Sequence, residues 1–213
     1  MRRFFHGVVA CCALGCAALF SQVFCVNCVA SEVSALRETA EKRVKDIYPK
    51  FISLVQAGVQ EDDMLQFAGE HMDAVSISKR FCGAENDALF KSIVKFLTWR
   101  LKTEAIQSVR SYQLHDNMQS VVKKTGVEVK CVLKGQSDEV QMTVVFSKKA
   151  TSLGGIREII LLGIPLIEGA KVPIKAYFEK NGLKMKSMKP KERAEKMCTA
   201  LDEFIKQNAR GSK

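Results

Sequence analysis

The stretch VEVKCVLKGQSDEVQMTVVFS, residues 127–147, decides the fold. Val127, Val129, Cys131 and Leu133 alternate with Glu128, Lys130, Val132 and Lys134. After Gly135-Gln136-Ser137-Asp138, the residues Val140, Met142, Val144 and Phe146 alternate with Gln141, Thr143, Val145 and Ser147. Successive side chains of a strand point to opposite faces, so a period of two marks a half-buried strand, and two such runs around a turn predict an antiparallel hairpin with one buried face. Ser111 to Lys123 reads as the strand before it and Ile156 to Leu162 as the strand after it. Four neighbouring strands make a curved antiparallel sheet.

Upstream the period becomes helical. Leu36, Ala40, Val44, Ile47, Phe51 and Val55 fall at three-and-four spacing on one face, and Pro49 is expected to kink or split that helix. After Gly58, Glu61-Asp62-Asp63 places acids in the first turn of a second helix carrying Met64, Leu65, Phe67, Ala68 and Met72. A short element through Ile77 and Phe81 stops at Gly83. Asn86 or Asp87 then caps a long helix running to about Val109, with Phe90, Ile93, Val94, Leu97, Leu101 and Ala105 on one stripe. Lys91, Lys95, Arg100 and Lys102 are placed away from that stripe, and Phe96 and Trp99 widen it, which suits packing against a sheet.

Past Gly163 an amphipathic stretch ends at Asn181-Gly182, read as a helix C-cap in preference to a hairpin turn. A last helix starts at Lys189-Pro190 with Ala194, Met197, Cys198, Leu201, Phe204 and Ile205 on one face, and Asn208 to Lys213 is expected to fray. The fold class is α+β: leading helices packed on a curved antiparallel sheet, then C-terminal helices.

The N-terminus stands apart from this domain. Arg2 and Arg3 precede a run of 14 residues, Gly7 to Phe20, without a polar side chain other than cysteine, and Cys28-Val29-Ala30 supplies the small-x-small pattern. This order is that of a secretory signal, residues 1–30, cleaved after Ala30 and leaving residues 31–213 as one domain. The alternative is an uncleaved anchor, for which the clean run falls short of the roughly 18 residues a spanning helix wants. Loss of Arg2 and Arg3 lowers the net charge from +10 to +8. Five of the eight cysteines leave with the signal, and the widely spaced Cys82, Cys131 and Cys198 read as free buried thiols better than as a disulfide framework.

Chemistry-bearing patterns are sparse. His71 and His115 have no metal-ligand spacing, Gly154-Gly155 lacks the Lys-Ser/Thr of a phosphate loop, and Cys82 near His71 does not form an organised nucleophile and base. No enzyme, metal or cofactor is expected. From Lys171 to Lys196 nine basic residues face three acids, a balance suited to an anionic membrane surface or an acidic protein, or to a plain solvated face. Nucleic acid fits poorly, because few aromatics interleave with the lysines.

The order of elements and two motifs carry a resemblance. Asp73-Ala74-Val75-Ser76-Ile77-Ser78-Lys79-Arg80-Phe81-Cys82-Gly83 resembles the aspartate-led "D…I…LG" segment of the MlaC, or toluene-tolerance auxiliary, family, with Cys82 where Leu is usual. Ile159-Ile160-Leu161-Leu162-Gly163-Ile164-Pro165-Leu166 resembles its last strand running into "GvSl", with Pro165 where Ser is usual. The resemblance implies an NTF2-like sheet and a periplasmic phospholipid carrier with an apolar pocket. It also implies partners, an inner-membrane ABC transporter complex and an outer-membrane lipoprotein complex, with phospholipid as cargo and a monomeric carrier.

On that reading the pocket lining comes from inward hairpin positions and the facing helix stripe: Phe90, Val94, Leu97, Leu101, Val129, Cys131, Met142, Val144, Phe146, Ile159 and Leu161. Ordinary core packing is the alternative for each, and is expected to hold for about two-thirds of them, because pocket and core share one composition. A non-catalytic scaffold of the same fold with a filled core, and a hydrolase with no recognisable motif, which unchanged function on replacing His71, His115 and Cys82 together would dismiss, are the alternatives from other classes.

Overall fold

The computed structural model describes residues 6–103 and 111–209, with side chains described from residue 31 onward and not at Thr103. In chain order the elements are α1 (His6–Gln56), α2 (Glu61–His71), α3 (Ala74–Cys82), α4 (Asp87–Thr103), β1 (Gln113–Leu114), β2 (Gln119–Lys123), β3 (Gly126–Lys134), β4 (Glu139–Lys149), β5 (Ser152–Leu161), β6 (Ile164–Pro165), α5 (Lys171–Lys180) and α6 (Pro190–Ala209). The expected end of α4, including Ala105, lies outside the described residues, as does the tail beyond Ala209.

The hairpin forms in the register its alternation demands. Val127 faces Phe146, Val129 faces Val144, Cys131 faces Met142 and Leu133 faces Val140, all buried on one side. Gly135 donates its N–H to the Asp138 carbonyl at 2.8 Å and closes the turn. β5 adds antiparallel to β4 with register shifts around Phe146, and β6 adds to β5, giving an open antiparallel sheet. Such irregularities bend a strand and increase its twist.

Three strand boundaries differ from expectation, the first being that β5 begins at Ser152, which pairs with Lys149 across the β4–β5 turn, and not at Ile156. The strand Ser111 to Lys123 is interrupted, because His115 donates its N–H to Val132 O while its Nδ1 accepts from the Asn117 N–H, a local turn that breaks the ladder. The two halves, β1 and β2, pair in succession with the same edge of β3. Leu162 is not part of β5: it takes φ 54°, and Gly163 at φ 76° completes a reversal into β6.

The helices bury the stripes read from the sequence, with three corrections. α1 continues through Pro49 without being split, and Tyr48 joins its buried face. Arg100 is not on the solvent side of α4: it is only 8% exposed, and its guanidinium donates to Pro165 O at 3.3 Å. Asn208 and Ala209, expected to fray, are still helical. Asn86 Oδ1 accepts from the Leu89 N–H to cap α4, and Asn181 with Gly182 at φ 63° ends α5 as a cap.

Two buried carboxylates lock helices to strands. Asp73 caps α3 by accepting from the Ser76 N–H at 2.9 Å, receives the Ser147 hydroxyl, and sends its own N–H to Ile156 O at 2.8 Å. Glu158 on β5, 5% exposed, accepts from the N–H groups of Ile159, Ile167 and Glu168 and lies 3.4 Å from Arg80 of α3. Burial pushes its carboxyl up, opposed by those donors.

The close approach of the α2–α3 junction to β5 requires glycine. A Cβ on Gly155 would lie 2.6 Å from Asp73 N and 2.7 Å from Met72 C, both backbone atoms. Gly155→Ala is expected to destabilise the domain by about 1–3 kcal/mol, the usual cost of overpacking. Gly69→Ala, on the exposed face of α2 with nothing within 4 Å, is expected to stabilise it by about 0.5–1 kcal/mol. Urea unfolding midpoints of the two variants check the opposite signs.

Candidate functional site

The second half of α1 lies over the buried face of β4 and β5. From α1 come Val44, Ile47, Tyr48 and Phe51, from α2 Phe67, from β4 Met142, Val144 and Phe146, and from β5 Ile156 and Ile159, around a cleft of about 20 Å³. A second cleft of about 10 Å³ continues beside it, lined by Tyr48, Phe51, Ile52, Val55, Leu133, Met142, Ile159 and Leu161. Each is about the size of one water molecule, and the lining offers no polar partners to hold one.

Polar contacts fasten α1 along both flanks of this apolar seam. Arg43 donates to Gly154 O at 2.8 Å on the β5 side. Toward β1 and β2, Glu41 accepts from the Ser120 hydroxyl at 2.6 Å, Lys45 pairs with Asp116 at 2.8 Å, and the Tyr48 hydroxyl donates to Tyr112 O at 2.9 Å. The Lys45–Asp116 pair is exposed and contributes little. Tyr48 is buried, and that burial pushes its hydroxyl up to about 12, so it is a neutral donor at physiological pH.

Of the lining residues expected from the sequence, Met142, Val144, Phe146, Ile159 and Leu161 border the clefts. Phe90, Val94, Leu97 and Leu101 of α4, with Val129 and Cys131 of β3, belong to the same continuous core but do not border either cleft. The α1 residues Val44, Ile47, Tyr48, Phe51, Ile52 and Val55 and α2 Phe67 are brought in by the tertiary structure. Their signal is present in the α1 stripe; which helix covers the sheet is not, and α4, whose wider stripe suited it to a sheet, packs instead on α6, α2 and α3.

The candidate nucleophile and base are committed elsewhere. Cys82 is fully buried and its thiol donates to the carbonyls of Ser78 and Ala84. His71 packs edge-on against Phe67 at 4.9 Å, and burial first, then Lys50, lowers its imidazole below the ordinary value. Burial pushes the Cys131 thiol up to about 12. Cys82, Cys131 and Cys198 are all free, and among the described residues no group of His, Cys, Asp and Glu could hold a metal ion.

No protein-family model matches the chain, and no curated protein matches it. Among solved structures it is similar to a phospholipid-binding protein from Ralstonia solanacearum, determined in complex with a phospholipid. The TM-score is 0.54 at 17% sequence identity, over 82% of this chain and 98% of that one. What the two share is the fold. The α+β arrangement of helices on an open antiparallel sheet with C-terminal helices is that of the Ralstonia protein over nearly its whole length.

The thiols report on the closure of the core. In native protein Cys82 and Cys131 are expected to stay unlabelled by a disulfide reagent at pH 8 and to react on unfolding in urea, since neither is accessible and Cys131 is protonated there. Mass spectrometry of the labelled peptides with and without urea checks this.

Proposed function

We propose that this protein binds phospholipid, with the acyl chains held between α1 and the inner face of β4 and β5. The observation that carries the reading is a seam lined by apolar side chains on the side of the sheet that α1 covers, in a fold whose Ralstonia neighbour was solved with a phospholipid. The clefts are far smaller than an acyl chain, so loading means that α1 yields ground on the sheet to the lipid. That exchange is balanced: each acyl CH2 leaving water contributes about 0.8 kcal/mol, while the displaced α1 side chains lose burial of the same kind. The α1 tethers are ordinary hydrogen bonds worth about 1 kcal/mol each, strong enough to close the seam and weak enough to open it.

The finer reading is an exported, non-enzymatic carrier in the periplasm, shuttling phospholipid between an inner-membrane ABC transporter complex and an outer-membrane lipoprotein complex. It rests on the signal-like N-terminus and on the two MlaC-like motifs. The structure adds support at one point. Asp73, which leads the first motif, is the cap and anchor of the α2–α3 junction. Intact mass of protein recovered from a bacterial periplasm is expected to give a chain beginning at Ser31; a chain retaining residues 1–30 in the membrane fraction would mean an anchor.

The carrier reading is tested by native mass spectrometry and lipid extraction of the exported protein. About one phospholipid per chain is expected. Val144→Trp, which fills the seam, should lower occupancy while circular dichroism stays unchanged, and Tyr48→Phe, which removes one tether, should speed uptake from vesicles. The smallness of the clefts favours one other reading, a scaffold with a filled core. An exported protein that carries no lipid and takes none from vesicles would establish that instead.

A further inference from the structure

Between Asn181 and Lys191 the chain contains no acidic residue, and with Lys180 it presents five lysines: Lys180, Lys184, Lys186, Lys189 and Lys191. All five are exposed, and none is ion-paired among the described residues. They are interleaved with Leu183, Met185 and Met188, which are half-buried and packed on the core. The strap joining α5 to α6 is therefore held by its apolar residues and turns its ammonium groups outward. Backbone contacts fix it further: Leu183 donates its N–H to Phe178 O at 2.9 Å, and Arg193 reaches both Met188 O at 3.0 Å and Cys82 O at 3.2 Å. A solvated charge run needs no such pinning.

The other end of α5 presents apolar groups to water. Val172 is 72% exposed, and at the β5–β6 turn Leu162 and Ile164 are 52% and 45% exposed. Ile164 and Val172 line one cleft, and α5 has 10 residues, about 15 Å of helix at 1.5 Å per residue, which is the span from Val172 to the start of the lysine strap. Along the outward face between them run Lys175, Ala176 and Glu179, with the single acid paired to Lys175 at 3.7 Å.

We propose that the outward face of α5, with the Lys180–Lys191 strap and the Leu162, Ile164 and Val172 side chains, docks this protein on an anionic phospholipid bilayer. Lysines seek the headgroup charge while short aliphatic side chains enter the acyl boundary, which is the division of labour of interfacial binding elements. An acidic protein would also take up the lysines and the aliphatic side chains, and failure to bind vesicles is the outcome that favours it. The inference goes beyond the lipid-binding reading: a docking surface can exist with the α1 seam empty or full.

The test is sedimentation of the exported protein with vesicles of phosphatidylcholine alone and of phosphatidylcholine mixed with phosphatidylglycerol. The wild type is compared with K184Q/K186Q/K189Q/K191Q and with K42Q/K124Q/K130Q/K149Q, which removes the same charge from exposed positions elsewhere. All three share one N-terminus, so its contribution cancels. A lysine at an anionic surface is worth roughly fivefold in affinity, so the strap variant is expected to lose at least about tenfold on the anionic vesicles and the control variant far less. Added salt should weaken the wild type on the same vesicles. V172S/L162S should weaken binding with the lysines intact. Equal binding to both vesicle types, no vesicle binding, or equal losses in the two lysine variants would overturn the proposal. Lipid extracted from each variant is measured separately: an empty seam with strap-dependent docking would sink the carrier reading and leave this one standing.

Discussion

A sheet with one apolar face must have that face covered, and in this chain nearly every other packing relation follows from the cover. Val127, Val129, Cys131 and Leu133 on β3, with Val140, Met142, Val144 and Phe146 on β4, leave the same side of the sheet without a polar group. Apolar area left in water costs about 25 cal/mol per Å², so an uncovered hairpin of this kind is not a stable state. The second half of α1 supplies the central cover, and α2 packs beside it through the Phe51–Phe67 ring contact.

The apolar seam has no directionality of its own, so polar groups must decide where the helices sit. Asp73 and Glu158 do so from opposite sides of the relation: one is a helix-capping residue that takes a strand hydroxyl, the other a strand residue that takes backbone N–H groups of the Ile167–Glu168 turn and faces the α3 guanidinium of Arg80. Buried carboxylates are tolerable only when so well supplied with donors. Gly155 permits the helix junction to reach β5 at all. On the α1 side the polar contacts lie at the flanks of the seam and are partly exposed, from Arg43 to Gly154 O and from Glu41 and Lys45 to Ser120 and Asp116.

Much of the architecture is legible in the sequence. Alternation placed the hairpin in its correct register, because a slip of one residue would have turned Phe146 and Met142 to water. Acids at Glu61–Asp63, the Asn86 cap, Gly83 and Gly182 marked helix ends through local chemistry that needs no partner. Arg100 was misplaced because its burial is decided by a carbonyl of Pro165, a neighbour 65 residues away in sequence. The interruption of the first edge strand at His115 escaped notice for a similar reason: an imidazole accepting a backbone N–H two residues on leaves no trace in a hydropathy pattern.

The sequence alone determined what each element is and which of its faces is apolar, since strand and helix periods, caps and turn residues act over a few positions. It also determined that basic residues gather from Lys171 to Lys196. Only the tertiary structure decided that α1, not α4, lies across the clefts on β4 and β5, and that the lysine strap stands at one end of α5 with exposed aliphatic side chains at the other. Apolar faces attract one another without preference, so the choice among them falls to a few long-range polar contacts and to the space a glycine leaves open.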